Sequence, residues 1–230
     1  MVRVGRMLIA EDLVLLVFDD ETGKPDSTVT SLTYALAGAL LIELGMRNRI
    51  SVGEGGKGRL ELVDRTPTGQ HVLDDALVKL EKYEGRKPKD AIAPLAGNKL
   101  TERLLDGLAD RGVLRREEGK VLKLFPVTRW PAEDSAHELA LRETLTAVLV
   151  DGRDPDERTA ALIAVLAAIQ AASKVLDLPE RADRKLVDRR AKDIAEGNWG
   201  SAATGKAIEE LTAAVMTAVM IPAIVTTATS

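Results

Sequence analysis

Few residues in this sequence are of types that could do chemistry, and most lack the neighbours that chemistry needs. Gly53-Glu54-Gly55-Gly56-Lys57-Gly58 spells the G-x-G-x-x-G pattern of dinucleotide sites. Such a site needs a strand before the glycines and a helix N-terminus after them, because free helix amides hold the pyrophosphate. Here Arg59-Leu60-Glu61-Leu62-Val63 follows and alternates like a strand, so the glycines read as a hairpin turn. A phosphate-binding P-loop is excluded too, since Lys57 precedes Gly58 rather than Ser or Thr. The only histidines, His71 and His137, have no partners at metal-ligand spacing and read as surface residues. Asp19, Asp20 and Glu21 crowd a turn, and Asp74 with Asp75 open a helix, where acids complement the dipole. With no cysteine, there is no disulfide, thiol nucleophile or thiolate metal site. The expectation is a protein that is not an enzyme and uses no metal or cofactor.

Two features survive. Between Arg86 and Arg129 eleven Lys and Arg stand against six Asp and Glu, although the whole chain carries a net charge of −4. Lys99, Arg103, Arg111, Arg115 and Arg116 in this segment have two readings: guanidinium forks for phosphate oxygens, or an ordinary solvated face. The other feature is Trp130, in Val127-Thr128-Arg129-Trp130-Pro131, which can cap a core or sit at a lipid interface.

The elements that must position these residues follow from composition and periodicity. Of 230 residues, 45% are hydrophobic but only 3% aromatic, which favours packed helices over a sandwich. Helices are expected over Leu8–Phe18, Ser31–Met46, Val72–Lys82, around Leu104–Leu108, and over Glu138–Val150, Asp156–Leu176 and Arg181–Glu196. Ala35, Gly38 and Ala39 would let a neighbour approach the second of these. Ala160–Ala172 is apolar nearly all round and should be buried. The apolar stretch Leu211–Val225 has 15 residues, short of the roughly 20 that span a bilayer, and reads as a buried C-terminal helix. A hairpin is expected at Ile50–Val63, and a second at Arg115–Phe125 with Arg116-Glu117-Glu118-Gly119-Lys120 as a charged tip. Arg111-Gly112 follows its helix as Arg47-Asn48 follows the earlier one, so the sequence contains two helix-plus-hairpin units. The fold class is mainly α: one compact helical domain, residues 1–230, with two β-hairpins.

Leu8-Ile9-Ala10-Glu11-Asp12-Leu13-Val14-Leu15-Leu16 resembles the opening helix of the Golgi phosphoprotein 3 family. Leu40-Leu41-Ile42-Glu43-Leu44 with Arg47 and Arg49 resembles its second signature. Pro67-Thr68-Gly69 before Val72-Leu73-Asp74-Asp75-Ala76-Leu77, then Arg111-Gly112-Val113-Leu114, then the Asp154-Pro155 turn, continue the likeness in order. The resemblance implies a peripheral membrane protein. Eukaryotic members bind phosphatidylinositol 4-phosphate and cytoplasmic tails of membrane proteins, the head group through one tryptophan and three arginines. Those positions fall on Thr28, Ala37, Thr101 and Arg103, so Arg103 alone is kept; Lys24, Lys99 and Arg129 are candidate substitutes.

The function expected is therefore recognition of an anionic lipid head group from the cytoplasmic face of a membrane. Membrane-protein tails are further candidate partners, a homo-oligomer is allowed, and no nucleic acid is expected. Two rivals stand beside it. One is a winged-helix-like DNA binder, using Arg115 and Arg116 on phosphates; the other is a scaffold that binds only proteins.

Overall fold

The computed structural model describes residues 7–19, 22–24, 31–53, 58–97, 99–121, 125–179, 183–197 and 209–218. Two runs of apolar sequence form helices that are buried on every side. Helix α1, Ile9–Val17, has no exposed residue, and α2, Leu32–Met46, is buried without a break from Ala35 to Gly45. Helix α7, Glu157–Ala168, joins them, with Ala160–Leu166 buried. These three pack pairwise on one another and form the centre. A helix apolar all round is stable only inside such a packing.

The remaining helices cover that centre. Helices α3 (His71–Leu80), α4 (Lys89–Ala96) and α5 (Leu100–Asp110) lie against α2, and α5 also touches α1. On another side α6 (Ala136–Leu149) packs on α1 and α7, and α8 (Arg184–Glu196) packs on α6 and α7. A last helical segment, 209–218, buries Leu211 and Val215. Gly38 admits it: a Cβ there would stand 2.5 Å from a Val215 methyl. The close approach expected at Ala35-Gly38-Ala39 is thus filled by the chain's own C-terminal helix. Its expected continuation to Val225 lies outside the described residues.

The two helix-plus-hairpin units are real and match bond for bond. Helix α2 ends through Arg47 with Asn48 left-handed (φ 54°), and α5 ends through Arg111 with Gly112 left-handed (φ 72°). In the first unit the Arg49 amide donates to the Leu44 carbonyl, and in the second Val113 donates to Leu108. The Arg49 carbonyl then accepts from Val63 and Asp64, and the Val113 carbonyl from Glu133 and Asp134. Asp64 receives the Thr66 amide at 2.8 Å, and Asp134 receives Ala136 at 3.0 Å.

The first hairpin pairs β1 (Ile50–Val52) with β2 (Leu60–Leu62), Ile50 opposite Leu62. Ile50, Val52, Leu60 and Leu62 point inward, while Ser51 and Glu61 face out, as period-two alternation requires. The second hairpin departs from expectation. Its strands are β3 (Glu117–Val121) and β4 (Phe125–Arg129), with Glu117 opposite Arg129. Glu117 to Lys120, expected as a charged tip, is therefore strand, and the return strand runs on to Arg129, past the expected end at Phe125. Charged residues in a two-stranded ribbon have no core face to violate, so charge was a misleading turn signal.

Helix α7 stops at Ala168, not Leu176. Gln170 is left-handed (φ 55°), and the Ala171 amide returns to the Leu166 carbonyl. Glutamine gives no compositional warning of that stop. Helix α8 begins three residues later than expected, where Asp183 caps it by accepting the Leu186 amide at 3.1 Å.

Candidate functional site

Buried acids are the residues most in need of explanation, since an unpaired buried charge is costly. Glu11 and Asp12 on α1 and Glu43 on α2 are each at most 4% exposed. The N-terminus of α1 draws them together: the Leu8 amide donates to Glu11 at 2.9 Å and the Ile9 amide to Glu43 at 3.0 Å. Arg158 reaches in from α7, donating to Glu43 at 3.0 Å, to Asp12 at 2.8 Å and to the Met7 carbonyl. Arg47 holds the other oxygen of Glu43 at 2.8 Å, and Arg111 reaches Glu11 at 2.7 Å. Three carboxylates thus meet three guanidiniums where α1, α2, α5 and α7 converge. Burial opposes the charge of Arg158, but Asp12 and Glu43 outweigh it and raise its pKa.

His137 of α6 completes the cluster, 2.8 Å from the free oxygen of Asp12. A His–Asp pair supplies two of the three members of a hydrolytic triad. Here the carboxylate already answers Arg158, so the pair locks α6 onto α1 rather than orienting a base. The hydrogen bond to Asp12 holds the imidazole pKa above its ordinary value; partial burial and Arg158 oppose this, while the charges of Asp12 and Glu11 assist. A raised folded-state pKa gives stability that is complete below the unfolded value, about 6.5, and is lost as pH rises through the folded value. The stability gap between the wild type and His137→Gln should therefore narrow from about pH 6.5 upward. Chemical denaturation across that range checks this, and a gap that widened with pH would contradict it.

The expected head-group residues are scattered. Thr28 lies outside the described residues. Ala37 is fully buried in α2, among the core helices, so a methyl there meets no ligand. Lys99, left-handed (φ 53°) before α5, lies 3.2 Å from Glu102, with both side chains more than half exposed. Thr101 is half-buried on the first turn of α5. Arg103, the one family arginine kept, is ion-paired with Asp75 of α3. The rest of the basic segment is likewise engaged: Arg111 with Glu11, Arg115 with Glu117 and Glu133, and Arg116 with Asp106 and Glu118. Arg115 and Arg116, the residues the DNA-binding reading relied on, are thus held by acids.

Lys24 and Arg129 are different. Among the described residues neither has an ion-pair partner, and both are exposed. Gly23 joins the segments that carry them. It is left-handed (φ +59°) and packed so closely on Trp130 that a Cβ would overlap the Trp130 nitrogen and stand 2.7 Å from its carbonyl carbon. The turn is closed by the Asp19 amide on the Lys24 carbonyl at 2.9 Å and the Gly23 amide on the Asp19 carbonyl at 2.8 Å. Lys24 therefore follows a residue in contact with Trp130, and Arg129 precedes that tryptophan. Trp130 itself packs half-buried on the core with its indole N–H buried, so it anchors the turn rather than presenting a polar end to lipid. The contact joins residues over 100 positions apart, and only Gly23 hinted at it in the sequence.

Comparison with known proteins places these features. The family described as Golgi phosphoprotein 3 matches residues 9–211. The chain is 29% identical over 168 residues to the vacuolar protein sorting-associated protein 74 of Eremothecium gossypii, covering 64% of this chain and 50% of that protein. It is 26% identical over 164 residues to the protein of the same name from Schizosaccharomyces pombe, covering 63% and 48%. The chain spans about half the length of the curated relatives it matches.

Proposed function

The chain belongs to the Golgi phosphoprotein 3 family, and on that premise we propose that it is a single-domain, non-enzymatic peripheral membrane protein that binds an anionic lipid head group. Among the described residues no helix is long and apolar enough to cross a membrane, so contact at the surface is the mode proposed. The observation that carries the reading is the Gly23–Trp130 contact, which joins the segments of two exposed cations, Lys24 and Arg129, that have no ion-pair partner among the described residues, although Glu117 stands across the ribbon from Arg129. Two cations on segments joined in this way can share the oxygens of a phosphomonoester, for which phosphatidylinositol 4-phosphate is the candidate lipid. Arg103, on the first turn of α5, and Lys99, just before that helix, form a second, weaker contact. An exposed pair such as Arg103–Asp75 contributes little stability, and a dianionic phosphate can displace Asp75 from it.

Vesicle binding of variants tests this. Neutralising two surface cations at about 1 kcal/mol each predicts roughly a 30-fold weaker affinity for phosphoinositide vesicles in Lys24→Gln/Arg129→Gln. Asp75→Asn, which releases Arg103, should strengthen binding several-fold. Wild-type affinity in the double variant would remove Lys24 and Arg129 from the site.

A further inference from the structure

Helix α8 carries charge that its packing does not need. Its inward groups are satisfied within the protein: Val187 and Ala191 are buried, and Asp188 accepts both the amide and the hydroxyl of Ser173 at 3.0 Å. Arg184 donates to the Ser173 carbonyl at 2.6 Å and Arg190 to the Val148 carbonyl at 2.7 Å. The outward residues are Lys185, Arg189 and Lys192, spaced i, i+4, i+7 and so aligned on one face. Lys185 and Arg189 have no ion-pair partner among the described residues, and Lys192 is only loosely paired with Glu196, at 3.6 Å with both more than 60% exposed. No acid lies in the first helical turn, where Arg184 and Lys185 meet the positive end of the macrodipole. Leu186, 56% exposed, sits among these cations. Val150, 49% exposed at the end of α6, is near Arg190's anchor on that helix. Two acids share the outward face, Asp193 one turn beyond Arg189 and Glu196 one turn beyond Lys192, so the cations are in the majority there rather than alone; Asp151 stands at the end of α6.

From this arrangement we infer that the outward face of α8 is a membrane contact that reads the net negative charge of a bilayer, independently of any head-group pocket. Cations around exposed apolar side chains fit the interfacial region, where the ammonium and guanidinium groups meet lipid phosphates while the apolar tips leave water. An acidic protein surface would use the charges but leave Leu186 in water. The inference rests on the peripheral-membrane reading and gives it a second, non-selective surface.

The absence of cysteine makes the test direct. Leu186→Cys, labelled with an environment-sensitive fluorophore, should brighten and shift to the blue with vesicles of phosphatidylglycerol and phosphatidylcholine, but not with phosphatidylcholine alone. The same label at Val78→Cys, on exposed α3, should stay unchanged. Lys185→Gln/Arg189→Gln/Lys192→Gln should weaken binding to phosphatidylglycerol vesicles by roughly 30- to 100-fold, with its helical circular dichroism unchanged and its preference for phosphoinositide over phosphatidylglycerol kept. A silent label at Leu186, or wild-type affinity in the triple variant, while the wild type still binds anionic vesicles, overturns the role of α8 and leaves the peripheral reading standing. A wild type that binds no anionic vesicle at low salt overturns both.

Discussion

Arg158→Met is expected to destabilise the protein by about 3–5 kcal/mol, the usual cost of stripping one partner from a buried ion-pair network. Arg158 is the cation that Asp12 and Glu43 share, and it also holds the Met7 carbonyl ahead of α1. Methionine fills much of the same volume, so the loss comes from two carboxylates left without their common guanidinium, not from a cavity. Arg47 still holds Glu43 and His137 still holds Asp12, which sets the estimate below that for two orphaned acids. Urea denaturation should show a lower midpoint at an unchanged slope. A change under about 1 kcal/mol would mean that the cluster is wet enough to tolerate the loss.

The second large effect falls on Gly23. Alanine there must adopt a left-handed backbone, costing about 1–2 kcal/mol, and must also displace the Trp130 backbone, costing about 1–3 kcal/mol more. The cheaper response is for the turn to leave Trp130, which would part the segment of Lys24 from that of Arg129. Gly23→Ala is therefore expected to lose phosphoinositide binding by at least as much as the Lys24→Gln/Arg129→Gln variant. Amide exchange at Asp19 and Gly23, now tied to Lys24 and Asp19, should quicken at the same time. Faster exchange with undiminished lipid binding would separate the site from the turn.

The pattern of helices was largely readable because each central helix has its own local signal. Leu8–Phe18 and Ser31–Met46 are apolar runs that end where the observed helices end, and Arg47-Asn48 with Arg111-Gly112 correctly marked two equivalent stops. The failures have two causes. Gln170 stops α7 through a left-handed turn closed within the helix's own end, Ala171 on Leu166, which glutamine does not announce; Glu117–Lys120 forms a strand by pairing with β4, which residue type alone does not report. The site was less legible still. Glu11, Asp12, Glu43, Arg47 and Arg111 stand in stretches that resemble signatures of a family, yet their meeting with Arg158 and His137 depends on how five helices pack. A basic segment was visible, but not that Asp75, Glu11, Glu117, Glu133 and Asp106 take up its arginines. Lys24 and Arg129, more than 100 residues apart, lie on segments that meet through Gly23 and Trp130.

The central claim is most directly tested by co-sedimentation of the wild-type chain with vesicles of phosphatidylcholine carrying phosphatidylinositol 4-phosphate, phosphatidylinositol or phosphatidylglycerol, at low and physiological salt. Pelleting is expected with every anionic vesicle at low salt, where surface charges are poorly screened, and with phosphatidylinositol 4-phosphate alone at physiological salt. Failure to pellet with any of them under both conditions would contradict it and direct attention to protein partners.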